Sequence, residues 1–352
     1  MPIRQLRAAG SRGWIVICLL LGVSGCSSLN FYGQAVGGQW RILRDRIPIE
    51  DVLKAADQPS ATKSKLKLVQ GVLAFADQQL GMPVGKKYSS YVDLQRRYVV
   101  WNVFAAAPES IQGEHWCYPV VGCAPYRGYF DEDDAHAYAA SLQADGLETY
   151  VGGVPAYSTL GWFDDPVLST FLDWPEADLA GLLLHELAHG VVWVDGDVAF
   201  NESFATAVSE IALAQYFSTA GRDSEYEAWV DRRASWLLMK EKLLELKANL
   251  EAAFQQGSSL ERKITLYKEF KDQYRRDKDL HDSTRFDQLV FAELNNAYLV
   301  SLGAYEDWVP AFRCLYALHG TWAEFFTAVD QLTELEIAER GEALRACVVN
   351  RE

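Results

Sequence analysis

His185-Glu186-Leu187-Ala188-His189 sets two imidazoles four residues apart with a carboxylate beside the first. At about 100° per residue, positions four apart differ by roughly 40° around a helix, so both rings face one way. Two convergent imidazoles suit one divalent cation. Glu186, offset by one residue, can reach a water on that cation without ligating it, which gives it the role of general base. The flanking Leu182-Leu183-Leu184 and Val191-Val192-Trp193 make the segment apolar. Two imidazoles and a carboxylate buried there are costly unless something satisfies them, and a cation does.

A catalytic zinc site usually takes three protein ligands and a water. Beyond the turn signal Asp195-Gly196-Asp197 lies Phe200-Asn201-Glu202-Ser203-Phe204-Ala205-Thr206, at the start of another helical stretch. A hairpin through that turn swings Glu202 back beside His185 and His189, with Glu210 as the fallback ligand. Zinc is the expected cofactor. His115, Cys117 and Cys123 could also suggest a metal site, but no fourth ligand lies near them.

Apolar periodicity supplies the elements that must position these groups. Residues 176–194 and 200–220 read as strong helices. Before them, helical spacing recurs over 34–57 and 64–80, and 98–103 reads as a strand. Residues 131–143 read as a helix with acids in its first turn, and 147–154 as a strand broken by Gly152-Gly153. A helical hairpin follows over 225–254 and 260–279, its alternating charges read as a solvated face. Residues 286–349 are mainly helical. The expected fold is α+β, mainly α, divided into a leader (1–25), a mixed part with a cystine loop (26–130), a metal-binding catalytic core (131–220) and a helical part completing the cleft (221–352).

The 352 residues are 49% hydrophobic and 23% charged, which places the chain among globular proteins and excludes a disordered one. A net charge of −15, with no run of Lys or Arg, excludes a surface built to neutralise phosphates, so no nucleic-acid partner is expected. Arg4, Arg7 and Arg12 precede an apolar run from Trp14 to Val23, too short to span a bilayer core of about 30 Å. It ends in Val23-Ser24-Gly25-Cys26, which resembles a bacterial lipobox. That resemblance implies cleavage before Cys26, a lipid on its thiol and, with Ser27 next, an anchor on the periplasmic side of the outer membrane. Losing the three leader arginines takes the charge from −15 to −18. Four cysteines then remain in an oxidising compartment, so two disulfides are expected. Of three connectivities, Cys117–Cys123 with Cys314–Cys347 is preferred, because the first pair closes a short loop through Pro119 and Gly122.

Around the metal helices the sequence resembles the gluzincin metallopeptidases, whose third ligand is a Glu in an Asn-Glu-x-Phe-Ala context on the following helix. Asn201-Glu202-Ser203-Phe204-Ala205 matches it. The connection is shorter here than in thermolysin and the alanyl-aminopeptidase-like enzymes, and Thr206 stands where thermolysin-like enzymes carry an acid. Three further segments, Trp116-Cys117 to Tyr129-Phe130, Tyr157 to Pro166 and Asn295-Asn296-Ala297, resemble a family of predicted aminopeptidase lipoproteins of Gram-negative bacteria. The resemblance implies a gluzincin-like core and a zinc-dependent peptidase, with an aminopeptidase expected. An endopeptidase and a non-catalytic envelope lipoprotein are the alternatives. It implies a peptide substrate and a membrane partner through the N-terminal lipid. Gluzincins supply a Tyr or His to the oxyanion, for which Tyr298 and Tyr305 are the candidates. Tyr305 is preferred because it follows Gly303. They also place an edge strand before the metal helix, which makes Gly152, Gly153 and Tyr157 candidates for substrate binding, with Asp164 or Asp165 for a free α-ammonium.

Overall fold

The computed structural model describes residues 31–118, 122–156, 164–257, 260–281, 284–303 and 308–349, so Cys26, Tyr157 and Tyr305 lie outside the described residues. A helix over 31–44 (α1) leads into β1 (Ile47–Pro48) and α2 (Ile49–Lys54), so the mixed spacing near the start resolves into three elements. Next come α3 (Ser60–Gln78), β2 (Ser90–Val92) and β3 (Val100–Ala106). Trp101, Val103 and Ala105 alternate with less buried neighbours along β3, as a strand with one covered face requires.

The short strands β4 (Trp116–Tyr118) and β5 (Gly122–Ala124) pair with Cys117 directly opposite Cys123, and the expected disulfide joins them. After β6 (Arg127–Tyr129), Asp131 caps α4 (Glu132–Ala144) by accepting from the Asp134 amide at 3.1 Å. The strand β7 (Glu148–Val154) follows, and the antiparallel sheet runs in the order β6-β3-β7. Its glycines do not break it: Gly152 pairs with Asn102 and Gly153 with Trp101. A Cβ at Gly153 would lie 2.2 Å from the Tyr98 ring, so glycine there is what lets the ring pack on the strand. The strand β8 (Val167–Leu168) then runs parallel to β2, completing a second small sheet, and α5 (Ser169–Leu172) follows.

The main core forms around α6 (Glu176–Ala188) and α7 (Val198–Thr219). Leu179, Leu183, Leu184 and Leu187 of α6 are fully buried, each contributing roughly 1.5–3 kcal/mol of hydrophobic stabilisation. The first of these helices ends sooner than its apolar spacing predicts. His189 is its C-cap, and the Gly190 and Val191 amides turn back onto the Leu187 and Ala188 carbonyls, both at 2.9 Å. The hairpin α8 (Asp223–Gln255) and α9 (Leu260–His281) matches its sequence pattern. With a π-turn (Leu289–Glu293) and α10 (Asn296–Ser301) it encloses a second core containing Leu243, Leu250, Tyr267 and Val290. Finally α11 (Val309–His319), α12 (Trp322–Thr333) and α13 (Ile337–Val349) pack Phe312 and Phe325 against Phe204 of α7. The second expected disulfide, Cys314–Cys347, ties α11 to α13. The fold is α+β and mainly helical. No described helix is long and apolar enough to cross a membrane.

Candidate metal centre

His185 lies in the last turn of α6 and His189 at its C-cap, which keeps the four-residue spacing on one face. The path back to Glu202 is fixed locally. Asp197 caps α7 by accepting from the Phe200 amide at 3.1 Å. Asn201, 1% exposed, clasps Val194 with both ends of its amide: its Oδ1 accepts from the Val194 amide at 2.9 Å and its Nδ2 donates to the Val194 carbonyl at 2.8 Å. Those bonds close the α6–α7 turn and deliver the next residue, Glu202, to the histidines.

Glu202 Oε2 lies 3.2 Å from His185 Nε2, and its Oε1 lies 3.6 Å from His189 Nε2. One ligand atom from each of the three residues falls within 4.8 Å of the others. Zinc bonds of about 2.0–2.2 Å meeting at the tetrahedral angle would separate ligand atoms by about 3.3–3.6 Å, and the two Glu202 contacts lie close to that spacing. Glu186 is outside the set, as its helical offset predicts. Glu210, the fallback ligand, is 5% exposed and is held instead by Arg233 at 3.1 Å and by Arg313.

Burial lowers the His189 imidazole to about 4, helped by the neighbouring charge of His185, so its ring is neutral near pH 7 and able to ligate. Burial works to raise Glu202, but the hydrogen bond and charge of His185, with His189, outweigh it and hold the carboxyl below its ordinary value. Glu186 moves the other way. Its burial raises it, the charges of Glu202 and Asp165 add to the rise, and His185 and Lys87 oppose it. One carboxylate is thus tuned to stay charged and its neighbour to accept a proton more readily. His189 Nδ1 is buried without a hydrogen-bond partner among the described residues.

Beside Asp165, already a candidate from the sequence, the site gathers residues that the sequence did not single out. Lys87 reaches Gly190, where a Cβ would lie 2.5 Å from the ammonium nitrogen. Tyr88 is 5% exposed and takes φ 57°, a strained backbone for a tyrosine, with its amide donating to the Asp165 carbonyl at 2.8 Å. Asp165 is buried and its charge acts on Glu186, whereas Asp164 is exposed. Glu186 and His185 also line an open groove shared by α6, α7 and α8. Arg232 and Arg233, read as part of a solvated face, pair there with Asp178 at 2.6 Å and Glu210 at 3.1 Å. The pattern Trp229, Arg232, Arg233, Trp236 on one face of α8 was the available signal.

Other expected residues sit apart. Tyr298 is buried in the second core with its ring centre 4.8 Å from that of Tyr150. Among the described residues, no hydrogen bond, ion pair or ring contact joins Tyr298, Gly152 or Gly153 to the His185–His189–Glu202 group.

Fold and site together define a mainly helical protein whose two core helices present a His-His-Glu set fit for one divalent cation, with a second glutamate beside it. The chain belongs to the family described as "Putative aminopeptidase", whose sequence profile it matches over residues 30–344. Comparison with curated proteins and with solved structures gave no match.

Proposed function

We propose that the chain is a zinc-dependent peptidase of gluzincin type that removes residues from the N-terminus of peptides, and that its mature form is held by a lipid on Cys26 at the periplasmic side of the outer membrane. The observation that carries the catalytic reading is the convergence of His185, His189 and Glu202 with Glu186 adjacent but outside the ligand set. Family membership supports the peptidase class.

Held by those three residues, zinc would acidify a water and polarise the peptide carbonyl. Glu186, beside the ligand set, would serve as the base that takes a proton from the attacking water and returns it to the leaving amine, and its raised pKa suits that role. For the substrate α-ammonium the candidates are the exposed carboxylate of Asp164 and the buried one of Asp165. The Lys87 ammonium, on the His189 side, is available to the developing oxyanion. Tyr157, Tyr305 and the β7 edge with Gly152 and Gly153 remain the proposed supports from the family resemblance.

The test is Glu186→Gln. Glutamine keeps the size of the side chain but accepts no proton, so hydrolysis falls by about 10² to 10⁴ while stoichiometric zinc is retained. A peptide-library digest with zinc analysis of both proteins measures it. Equal activity would sink the mechanism, and absence of zinc from loaded protein would sink the site. Cleavage of N-acetylated peptides would replace the aminopeptidase reading with an endopeptidase.

A further inference from the structure

An open groove of about 560 Å³ runs between α6, α7 and the first half of α8, and His185 and Glu186 line it. Leu179, Leu183, Leu184 and Leu187, with the buried alanines, turn about half of the circumference of α6 to the core. The stripe left over, Asp178, Gly181, Leu182, His185 and Glu186, is the one that faces the groove. Opposite stand Trp229, Arg232, Arg233 and Trp236, at spacings that put them on one face of α8, and Trp174 adds a further indole.

These indoles are half-buried: each packs on the margin of a core and leaves part of its surface to the groove. Each is braced by another ring. Trp174 packs on Phe171 with centres 6.5 Å apart, Trp229 stacks on Tyr226 at 5.9 Å, and Trp236 packs on Phe286 at 6.1 Å. They form the walls of the groove. The Arg232–Asp178 and Arg233–Glu210 pairs set the distance between α8 and the metal helices, and they hold guanidinium groups along the same wall. Gly181 is a poor helix former in the middle of α6. A Cβ there would meet Leu213 at 3.7 Å and Trp229 Nε1 at 4.0 Å, both ordinary contacts, so packing does not demand glycine. What glycine leaves is room in the groove.

We propose that this groove receives a large aromatic side chain from the peptide residue next to the scissile bond, an inference that rests on the peptidase reading above. A ring gains twice: indole faces pack against it, and guanidinium groups favour its π face. A branched aliphatic side chain gains only the first, and alanine leaves the walls uncovered. A carboxylate side chain would meet Asp178, Glu210 and Glu186 as well as the arginines.

Zinc-loaded full-length protein is given peptides in which the residues on either side of the scissile bond vary through Phe, Leu, Ala and Glu. At one of these positions kcat/KM for Phe exceeds that for Ala by about tenfold or more, and Gly181→Leu, which projects into the groove, collapses the ratio. Trp236→Leu lowers Phe relative to Leu. Cleavage without an aromatic preference, or with a preference for Glu, overturns the pocket and leaves the peptidase reading standing. If no peptide is cleaved, the peptidase reading fails separately. The pocket is then judged by calorimetry with phenylalaninamide and alaninamide: weaker phenylalaninamide binding to Gly181→Leu than to wild type supports it, and equal binding overturns it.

Discussion

Arg340→Met tests how distant parts of the fold hold the metal ligand in place. Arg340 is 3% exposed, and its guanidinium donates to the Leu332 carbonyl at 3.0 Å and the Leu335 carbonyl at 2.7 Å. It also pairs with Asp197 and lies 5.0 Å from the Phe200 ring centre. Asp197 caps α7, the helix that carries Glu202 in its second turn. Methionine keeps an apolar stem but removes every donor, which strands a carboxylate that is only 12% exposed. Breaking one side of a buried pair costs about 3–5 kcal/mol. At about 2–4 °C per kcal/mol for a sizeable domain, the midpoint of thermal unfolding should fall by roughly 6–20 °C. With the cap loosened, Glu202 is less firmly held, and zinc affinity falls by about tenfold or more, as when the support of a ligand is lost. Circular dichroism melts of metal-free wild type, R340M and R340M/D197N measure the first effect, and a competitive zinc titration the second. The double variant carries no stranded charge, so it should recover part of the loss. A midpoint change under about 2 °C in R340M, or a double variant no more stable than the single one, would refute this reasoning.

Acid should destabilise the metal-free protein in a defined window. Burial holds His189 at about 4 against an ordinary 6.5, so as pH falls through that interval the unfolded chain binds a proton that the folded one does not, and up to about 3 kcal/mol is lost. The lowered Glu202 pushes the same way at the acid end. Urea midpoints from pH 7 to 4 check this, and an identical slope in His189→Gln would show the cause to be wrong. Cys26→Ser should release the protein from membranes and remove the mass of the lipid; unchanged fractionation and mass would end the lipobox reading.

Features governed by local phase were readable in the sequence, and those governed by packing across the chain were not. The facing of His185 and His189 follows from helical geometry alone, and the return of Glu202 needs only a turn and a capped helix. By contrast, Gly152-Gly153 looks like a break until Tyr98 fills the space above it. The end of α6 at Ala188 was hidden because apolar spacing continues into residues that leave the helix. Arg232 and Arg233 read as solvated because their partners, Asp178 and Glu210, belong to other helices. Lys87 and Tyr88 lie on irregular chain beside small strands, where no periodicity marks a residue as near the site.

The two sides of the groove are held by different forces. α6 and α7 bury apolar side chains through most of their length, so His185, His189 and Glu202 sit on a tightly packed pair of helices. The buried residues of α8 begin only at Met239. Before that point it is tied to α6 and α7 by ion pairs and half-buried indoles. A segment with few buried apolar contacts opens at lower free energy than a core helix. The wall carrying Trp229 and Trp236 can therefore yield to admit a side chain while His185, His189 and Glu202 keep their spacing. That separation suits a hydrolase, because ligand geometry has to stay fixed through the reaction while the substrate wall has to admit and release successive peptides.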